Sequence, residues 1–256
     1  MFTIGLWDAQ RRKLFLARDR IGVKPLYFVF LPGGVAFASE IKALLAHPDV
    51  SPRLSPAAMY HYLSFLVAPA PLTMFEGIFK LPAGWALTVE DDGRTAATQY
   101  WDALPRERRY LRELDGLTET AQEEFCVREL QALLGQAVEK RMMSDVPFGV
   151  FLSGGIDSST NVALMTRFTK AAVRTFTVGF SDHTYLNELD YARRIAREFR
   201  TDHHEILIGE REMTEYLPQL VYHQDEPIAD WVCVPLYFVS RLLRDSGTIV
   251  DRKSVV

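Results

Sequence analysis

The chain has 256 residues, enough for one to two domains. Hydrophobic residues make up 48% and charged residues 24%, close to the globular average, which excludes a disordered, collagenous or biased-repeat chain. Lysine plus arginine less aspartate plus glutamate is 29 − 33 = −4, which argues against a dedicated polyanion binder, and no run of 18 apolar residues offers a membrane span. Arg20, Lys24, Arg106, Arg108, Arg109 and Arg112 are local basic exceptions that read as solvated faces, not nucleic-acid contacts. The start lacks the basic-then-apolar order of a secretory signal. Cys126 and Cys233 form no close pair and no metal spacing, so a reducing cytoplasm is expected.

The first hundred residues read as β-rich. Phe2 to Trp7, Leu14 to Arg18, Leu26 to Phe30 and Val35 to Ala38 are short apolar runs separated by turn residues. Ser39 to His47 predicts a short helix with Ser39 as its N-cap, and Ser55-Pro56 opens a second, since proline fits the first helical position. A loop holding Pro69 and Pro71 and two more short strands then lead to Tyr100-Trp101-Asp102. Residues 103–118 are charged and without strand alternation, and are read as a linker. Thr120 with Glu123 fits a capping box, and Cys126, Leu130, Leu133 and Ala137 follow at helical spacing. Cys126 is accordingly read as a packing residue.

After Pro147 strand and helix alternate. Strands are expected at Phe148 to Leu152, Val173 to Phe180 and His204 to Ile208. Helices are expected from about Ser158 to Phe168 and over 186–199, the latter burying Leu186, Leu189, Ala192, Ala196 and Phe199. Two further helical stretches reach Thr248-Ile249-Val250. This order predicts a doubly wound α/β domain with a parallel sheet.

The segment Leu152-Ser153-Gly154-Gly155-Ile156-Asp157-Ser158-Ser159 carries most of the chemistry. A buried strand ends, two glycines permit close backbone approach, and a helix begins whose free N–H groups and dipole favour an anion. Ser153, Ser158 and Ser159 add hydroxyl donors for phosphate oxygens. Asp157 would repel a bare phosphate, so it implies a divalent cation between carboxylate and phosphates. The plainer alternative is a serine-glycine turn in which Asp157 merely caps the helix. Neither G-x-x-x-x-G-K-[ST] nor G-x-G-x-x-G is present, which removes support for kinase-like and dinucleotide readings.

Ser-Gly-Gly-Ile-Asp-Ser resembles the pyrophosphate loop of the N-type ATP pyrophosphatases. The flanks narrow the resemblance to glutamine-hydrolysing asparagine synthetase. They are Arg141 to Leu152 before the loop, Thr175 to Phe180 after it, Thr201-Asp-His-His-Glu205, and Asp225-Glu-Pro227 with Asp230 and Val234 to Tyr237. Arg18 to Tyr27, Ala38 to Ala43 and Lys80-Leu-Pro-Ala-Gly84 resemble that family's class II glutaminase domain.

The resemblance implies residues 1–102 as the C-terminal part of an Ntn-type glutaminase domain, 103–118 as a linker, and 119–256 as an incomplete ATP pyrophosphatase domain. It implies amidation of L-aspartate through β-aspartyl-AMP, using ammonia released from L-glutamine, with ATP and Mg2+ as cofactors. The Leu152 and Val178–Gly179 backbones would line the adenine site, Ser153 to Ser159 would hold the pyrophosphate, and Asp157 would meet magnesium. Small molecules are the expected partners, without nucleic acid or membrane, and a homodimer is an admissible assembly.

Two departures accompany it. The family's nucleophilic cysteine follows its initiator methionine, whereas position 2 here is Phe. Asp251 to Val256 has no family counterpart and looks like translated adaptor sequence, so the chain is read as a fragment expected to lack glutaminase activity and to show weak or absent synthetase activity. The rival readings are a relative acting on another carboxylate, such as a β-lactam-forming enzyme, and a non-catalytic nucleotide-binding remnant.

Other polar residues are weighed more lightly. Asp225, Glu226 and Asp230 could serve the aspartate amino group or a tunnel exit, with Asp230 equally able to cap a helix near Cys233. His203 and His204 are expected on opposite strand faces. Glu188 and Asp190 follow the second strand near where substrate could sit but are read as a solvated helix face, and Arg18, Asp19, Arg20 and Lys24 as a brace between the two halves.

Overall fold

The computed structural model describes residues 1–104, 109–182 and 187–251. It divides into two compact units, one of residues 1–108 with 221–230, the other of 109–220 with 231–256.

The first unit holds β1 (Thr3–Asp8), β2 (Lys13–Arg18), β3 (Tyr27–Leu31), β4 (Gly34–Ala38), α1 (Ile41–Leu45), α2 (Pro56–Phe65), β5 (Ile78–Lys80), β6 (Trp85–Glu90) and β7 (Thr95–Gln99). Three strands, not two, follow the proline loop, because β5 is too short to announce itself by alternation. The strands form two antiparallel sheets, ordered β1-β2-β6-β7 and β4-β3-β5. Leu16, Leu26, Phe28, Leu81, Leu87 and Val89 make a common core from both sheets. A side chain at Gly5 of β1 would stand 2.7 Å from the Phe37 ring tip of β4, so the glycine lets the two sheets close on each other.

Ser55 caps α2 as expected, accepting from the Ala58 N–H at 3.3 Å, with Pro56 in the first turn. Ser39 does not cap α1. Glu40 holds the cap position without a side-chain bond, and the carboxylate of Asp225 accepts from the Ile41 N–H at 2.7 Å instead. A cap supplied from 184 residues away leaves no local sequence trace. Arg18 and Asp19 find partners within the first unit. The Arg18 guanidinium donates to the Lys24, Gly22 and Leu81 carbonyls, and the Asp19 carboxylate accepts from Phe2, Ile21, Val23 and Lys24, so both tie down loops of the first unit. Burial by itself raises the Asp19 carboxyl, but those four backbone donors outweigh it and hold it below the usual carboxylate range.

The second unit contains α3 (Arg109–Leu114), α4 (Glu119–Met142), β8 (Phe148–Phe151), α5 (Ile156–Phe168), β9 (Arg174–Phe180), α6 (Leu189–Glu198), β10 (Asp202–Ile208), α8 (Cys233–Asp245) and β11 (Val250–Asp251), with most of α7 (Glu210–Gln224). Its sheet is ordered β10-β9-β8-β11 and every pairing is parallel. Val150 and Leu152 point to a core shared with α4, α5 and α6 through Val138, Val162, Met165, Ala192 and Ala196. Phe151 and Phe176 point the other way, under Val239 and Leu243 of α8. Helices therefore cover both faces, as alternation of strand and helix predicted.

Two local expectations need correction. The N-cap of α4 is Thr118, accepting from Ala121, not Thr120. The stripe Cys126, Leu130, Leu133 and Ala137 is exposed, whereas Val138 and Met142 face the core. Cys126 is thus an exposed free thiol and not a packing residue. Two apolar stripes run side by side on α4, and periodicity alone does not say which meets the sheet. The predicted linker contains α3, and Leu186, expected on the buried face of α6, lies outside the described residues together with residues 105–108. Among the described residues no helix is long and apolar enough to cross a membrane.

Candidate nucleotide site

β8 lies between β9 and β11, and its chain leaves towards β9 while β11 returns much later on the other side. The loop after β8 therefore sits at the point where strand order reverses, the usual ligand position in open α/β sheets. The loop is built from its own hydroxyls. The Ser158 Oγ accepts from the Ser153 N–H at 3.2 Å, lies 3.0 Å from the Ser153 hydroxyl, and donates to the Gly155 carbonyl at 3.2 Å. Ser158 is 2% exposed. Its hydroxyl shapes the loop from within.

Gly154 has φ +82°, and a side chain there would stand 2.7 Å from the Tyr191 carbonyl carbon and 2.8 Å from the Ala192 nitrogen. Glycine is needed both for the turn and for the close approach of α6. Gly155 is the N-cap of α5 and carries no side chain to satisfy the first N–H groups. These groups, from Ile156 onward, remain donors without an intrahelical partner. Asp157 is exposed in the first turn, and the buried Ser159 Oγ has no hydrogen-bond partner.

Beside the loop is a cavity of about 330 Å³, lined among others by Leu152, Ser153, Val178, Glu188, Trp231 and Val232. That size lies at the low end for small-molecule sites. Leu152, Ser153 and Val178 of the expected set are brought together here. Gly179 is not among the lining residues: its missing side chain makes room for Leu189 Cγ, which an added Cβ would meet at 2.9 Å. The Leu152 backbone is also spoken for, since its N–H donates to Phe176 at 2.8 Å and its carbonyl accepts from the Thr177 hydroxyl. Glu188 is exposed, as read from the sequence, and also lines the cavity. Trp231 and Val232 escaped the sequence reading, although a tryptophan just before α8, 73% exposed, was the feature that could have marked them.

The other candidates lie elsewhere. His203 Nδ1 is 2.9 Å from the Thr175 hydroxyl and its Nε2 is 3.0 Å from Glu205, which Arg193 grips through two nitrogens. Burial pushes the His203 imidazole pKa down, against the pull of Glu205. The hydrogen bonds from Arg193 come first in holding the Glu205 carboxyl below its usual range, and burial opposes them. His204 stacks on Phe176 at 5.1 Å, on the opposite face. Asp225 and Glu226 belong to the first unit and are not among the cavity-lining residues, and the cap position of α8 falls on Val232 instead of Asp230. Among the described residues no three His, Cys, Asp or Glu side chains are grouped to hold a metal.

Two family models match this chain. Residues 1–101 match the family model of the glutamine amidotransferase domain, and residues 129–250 match that of asparagine synthase. Asparagine synthetase [glutamine-hydrolyzing] 1 of Bacillus subtilis is 32% identical over 97% of this chain, and putative asparagine synthetase 2 of Methanocaldococcus jannaschii is 32% identical over 98%. A putative asparagine synthetase of Mycobacterium tuberculosis is 34% identical over 98%. The chain spans 37% of the length of the first and third of these and 47% of the second. Matched almost end to end, the chain belongs to the glutamine-hydrolysing asparagine synthetase family, its first part to the amidotransferase region and its second to the asparagine synthase region.

Proposed function

We propose that the second unit binds ATP with Mg2+ at the loop after β8, and that the whole enzyme uses this site to amidate L-aspartate through β-aspartyl-AMP with glutamine-derived ammonia. The observation that carries the reading is the uncapped start of α5 at the sheet's reversal point, beside a cavity lined by Leu152, Val178 and Trp231. The α5 N–H groups and Ser159 would hold phosphate oxygens, and the apolar cavity would take the base. ATP supplies the adenylyl group that turns a carboxylate oxygen into a good leaving group. Asp157 suits Mg2+, which takes one or two carboxylates and completes its shell with phosphates and water. An exposed, unpaired carboxylate in the first turn of α5 fits that role, and the absence of a multidentate cage among the described residues fits a cation that arrives with nucleotide.

Ser153 and Ser158 orient rather than bind, since their hydroxyls hold each other and Gly155. The Gly154 and Gly155 backbones leave room for phosphate, and the first unit's facing antiparallel sheets are read as part of an Ntn-type glutaminase fold. The chain's two cysteines, Cys126 and Cys233, both fall in the second unit, so the first has no thiol to attack glutamine. For this polypeptide the expectation is weak MgATP binding without glutaminase turnover. Titration calorimetry of MgATP into the chain and into Asp157→Ala tests it.

A further inference from the structure

Arg193, Arg197 and Arg200 recur at spacings of four and three along α6 and just past its end. That spacing keeps them on one side of the helix, and all three line a second cavity, of about 490 Å³, with Ala196, Thr201 and His203. Every lining residue belongs to the second unit. Tyr191 and Ala192 at the start of α6 meet the Gly154 loop, whereas Arg197, Arg200 and Thr201 stand at its other end, beside the first residues of β10. The three guanidiniums are not equivalent. Arg193 is neutralised, since it donates to Glu205 through two nitrogens and to Asp190 at 3.2 Å. Arg197 gives its Nε to the Arg193 carbonyl at 3.2 Å, and neither it nor Arg200 meets a carboxylate among the described residues. Glu198, next to Arg197 in sequence, is turned about 100° round the helix and does not line the cavity. Arg200 follows the C-cap Phe199 with φ +51°, a position that glycine usually fills, and the Thr201 N–H returns to the Ala196 carbonyl at 3.0 Å to close the helix end.

We propose that this cavity binds a small phosphate dianion, free or singly esterified, held between the Arg197 and Arg200 guanidiniums, with the Arg193–Glu205 pair as a fixed wall. The helix dipole welcomes a cation in the last turn, which accounts for Arg197 alone. It does not account for the stripe, because like charges three and four residues apart repel. Two unmatched positive charges call for two negative ones. A phosphate supplies both on one tetrahedral centre, and its oxygens match the forked N–H groups of guanidinium. Neighbours three residues apart on one helix side are close enough to share that centre, which a dicarboxylate with separated charges does not need. The net charge of −4 over the whole chain disfavours an extended polyanion as the occupant. The proposal shares no residue with the nucleotide site after β8, so either can fail without the other.

The test titrates inorganic phosphate, glycerol 3-phosphate, succinate and a short single-stranded oligonucleotide into the full chain by calorimetry, without magnesium. Sodium chloride at about 0.15 M screens diffuse attraction between exposed charges. The variants are Arg197→Gln, Arg200→Gln, the double variant and Arg194→Gln, which removes the same charge outside the cavity. All these positions are exposed and glutamine keeps most of the side-chain stem, so the fold is retained, as circular dichroism will verify. The expected result is saturable binding of phosphate or its monoester with a dissociation constant of about 0.1–1 mM. Each cavity variant should weaken it at least about fivefold and the double variant should abolish it, with Arg194→Gln unchanged. The tighter of the two phosphates then names which form the cavity takes. Failure of the unaltered chain to bind either phosphate overturns the proposal, as does binding undiminished in the double variant, which would place the anion elsewhere. Equal weakening in Arg194→Gln overturns it in favour of a diffuse charge effect. Tighter binding of succinate or of the oligonucleotide than of both phosphates overturns the assignment of ligand class.

Discussion

The Ser158 hydroxyl sits within 3.2 Å of the Ser153 amide and 3.0 Å of the Ser153 hydroxyl, so two serines of one loop are spent on each other. Ser158→Ala would leave a buried N–H without an acceptor, a loss of about 1–3 kcal/mol. Urea denaturation should show that loss, and MgATP binding should weaken because the loop loses its shape. Ser159→Ala, which removes a hydroxyl without a protein partner, should leave stability nearly unchanged and lower only the affinity.

Gly154→Ala should be worse than its single methyl suggests. The left-handed backbone and the contacts with the Tyr191 carbonyl carbon and the Ala192 nitrogen both oppose it, for a cost of at least about 1–3 kcal/mol. Because the obstacle is backbone, shortening Tyr191 to alanine should not rescue the variant. Denaturation midpoints of the single and double variants check this.

Much of this loop was legible because strand end, glycine pair and helix start are consecutive in sequence. The parallel sheet was equally legible from alternation of strand and helix. What escaped was set by partners distant in the chain. Nothing near Ile41 reveals that Asp225 caps its helix, and the tryptophan before α8 was the one local mark of a cavity begun at Leu152. On α4, helical spacing put Leu130 and Leu133 on the apolar stripe, whereas packing chose Val138 and Met142, one neighbouring stripe away. Gly179 lay beside a true lining residue, and strand alternation, which turns neighbours to opposite faces, explains why Val178 meets the cavity and Gly179 meets Leu189.

Stability of the second unit should depend on pH through His203. Its folded-state pKa is depressed by burial, so the unfolded chain takes up the proton first. The contribution is complete above the unfolded value of about 6.5 and shrinks as pH falls from there toward the folded value. Glu205, held low by Arg193, stays ionised across that window, and Thr175, Thr201 and His204 complete the surroundings. Denaturation midpoints should therefore fall between about pH 7 and pH 5, and His203→Gln should flatten that slope.

Incubated with glutamine, the purified chain should release no glutamate above a blank without protein. Neither Cys126, exposed on α4, nor Cys233, at the start of α8, lies in the first unit. Release that disappears in Cys126→Ser or Cys233→Ser would refute this reasoning directly.

The central claim is a nucleotide site at the start of α5, and calorimetric titration of MgATP into the chain tests it most directly. The account expects saturable binding with a dissociation constant of about 0.1–1 mM, weakened about tenfold in Asp157→Ala while the circular dichroism spectrum stays unchanged. No binding by the unaltered chain, or equal affinity in Asp157→Ala with and without magnesium, would contradict it.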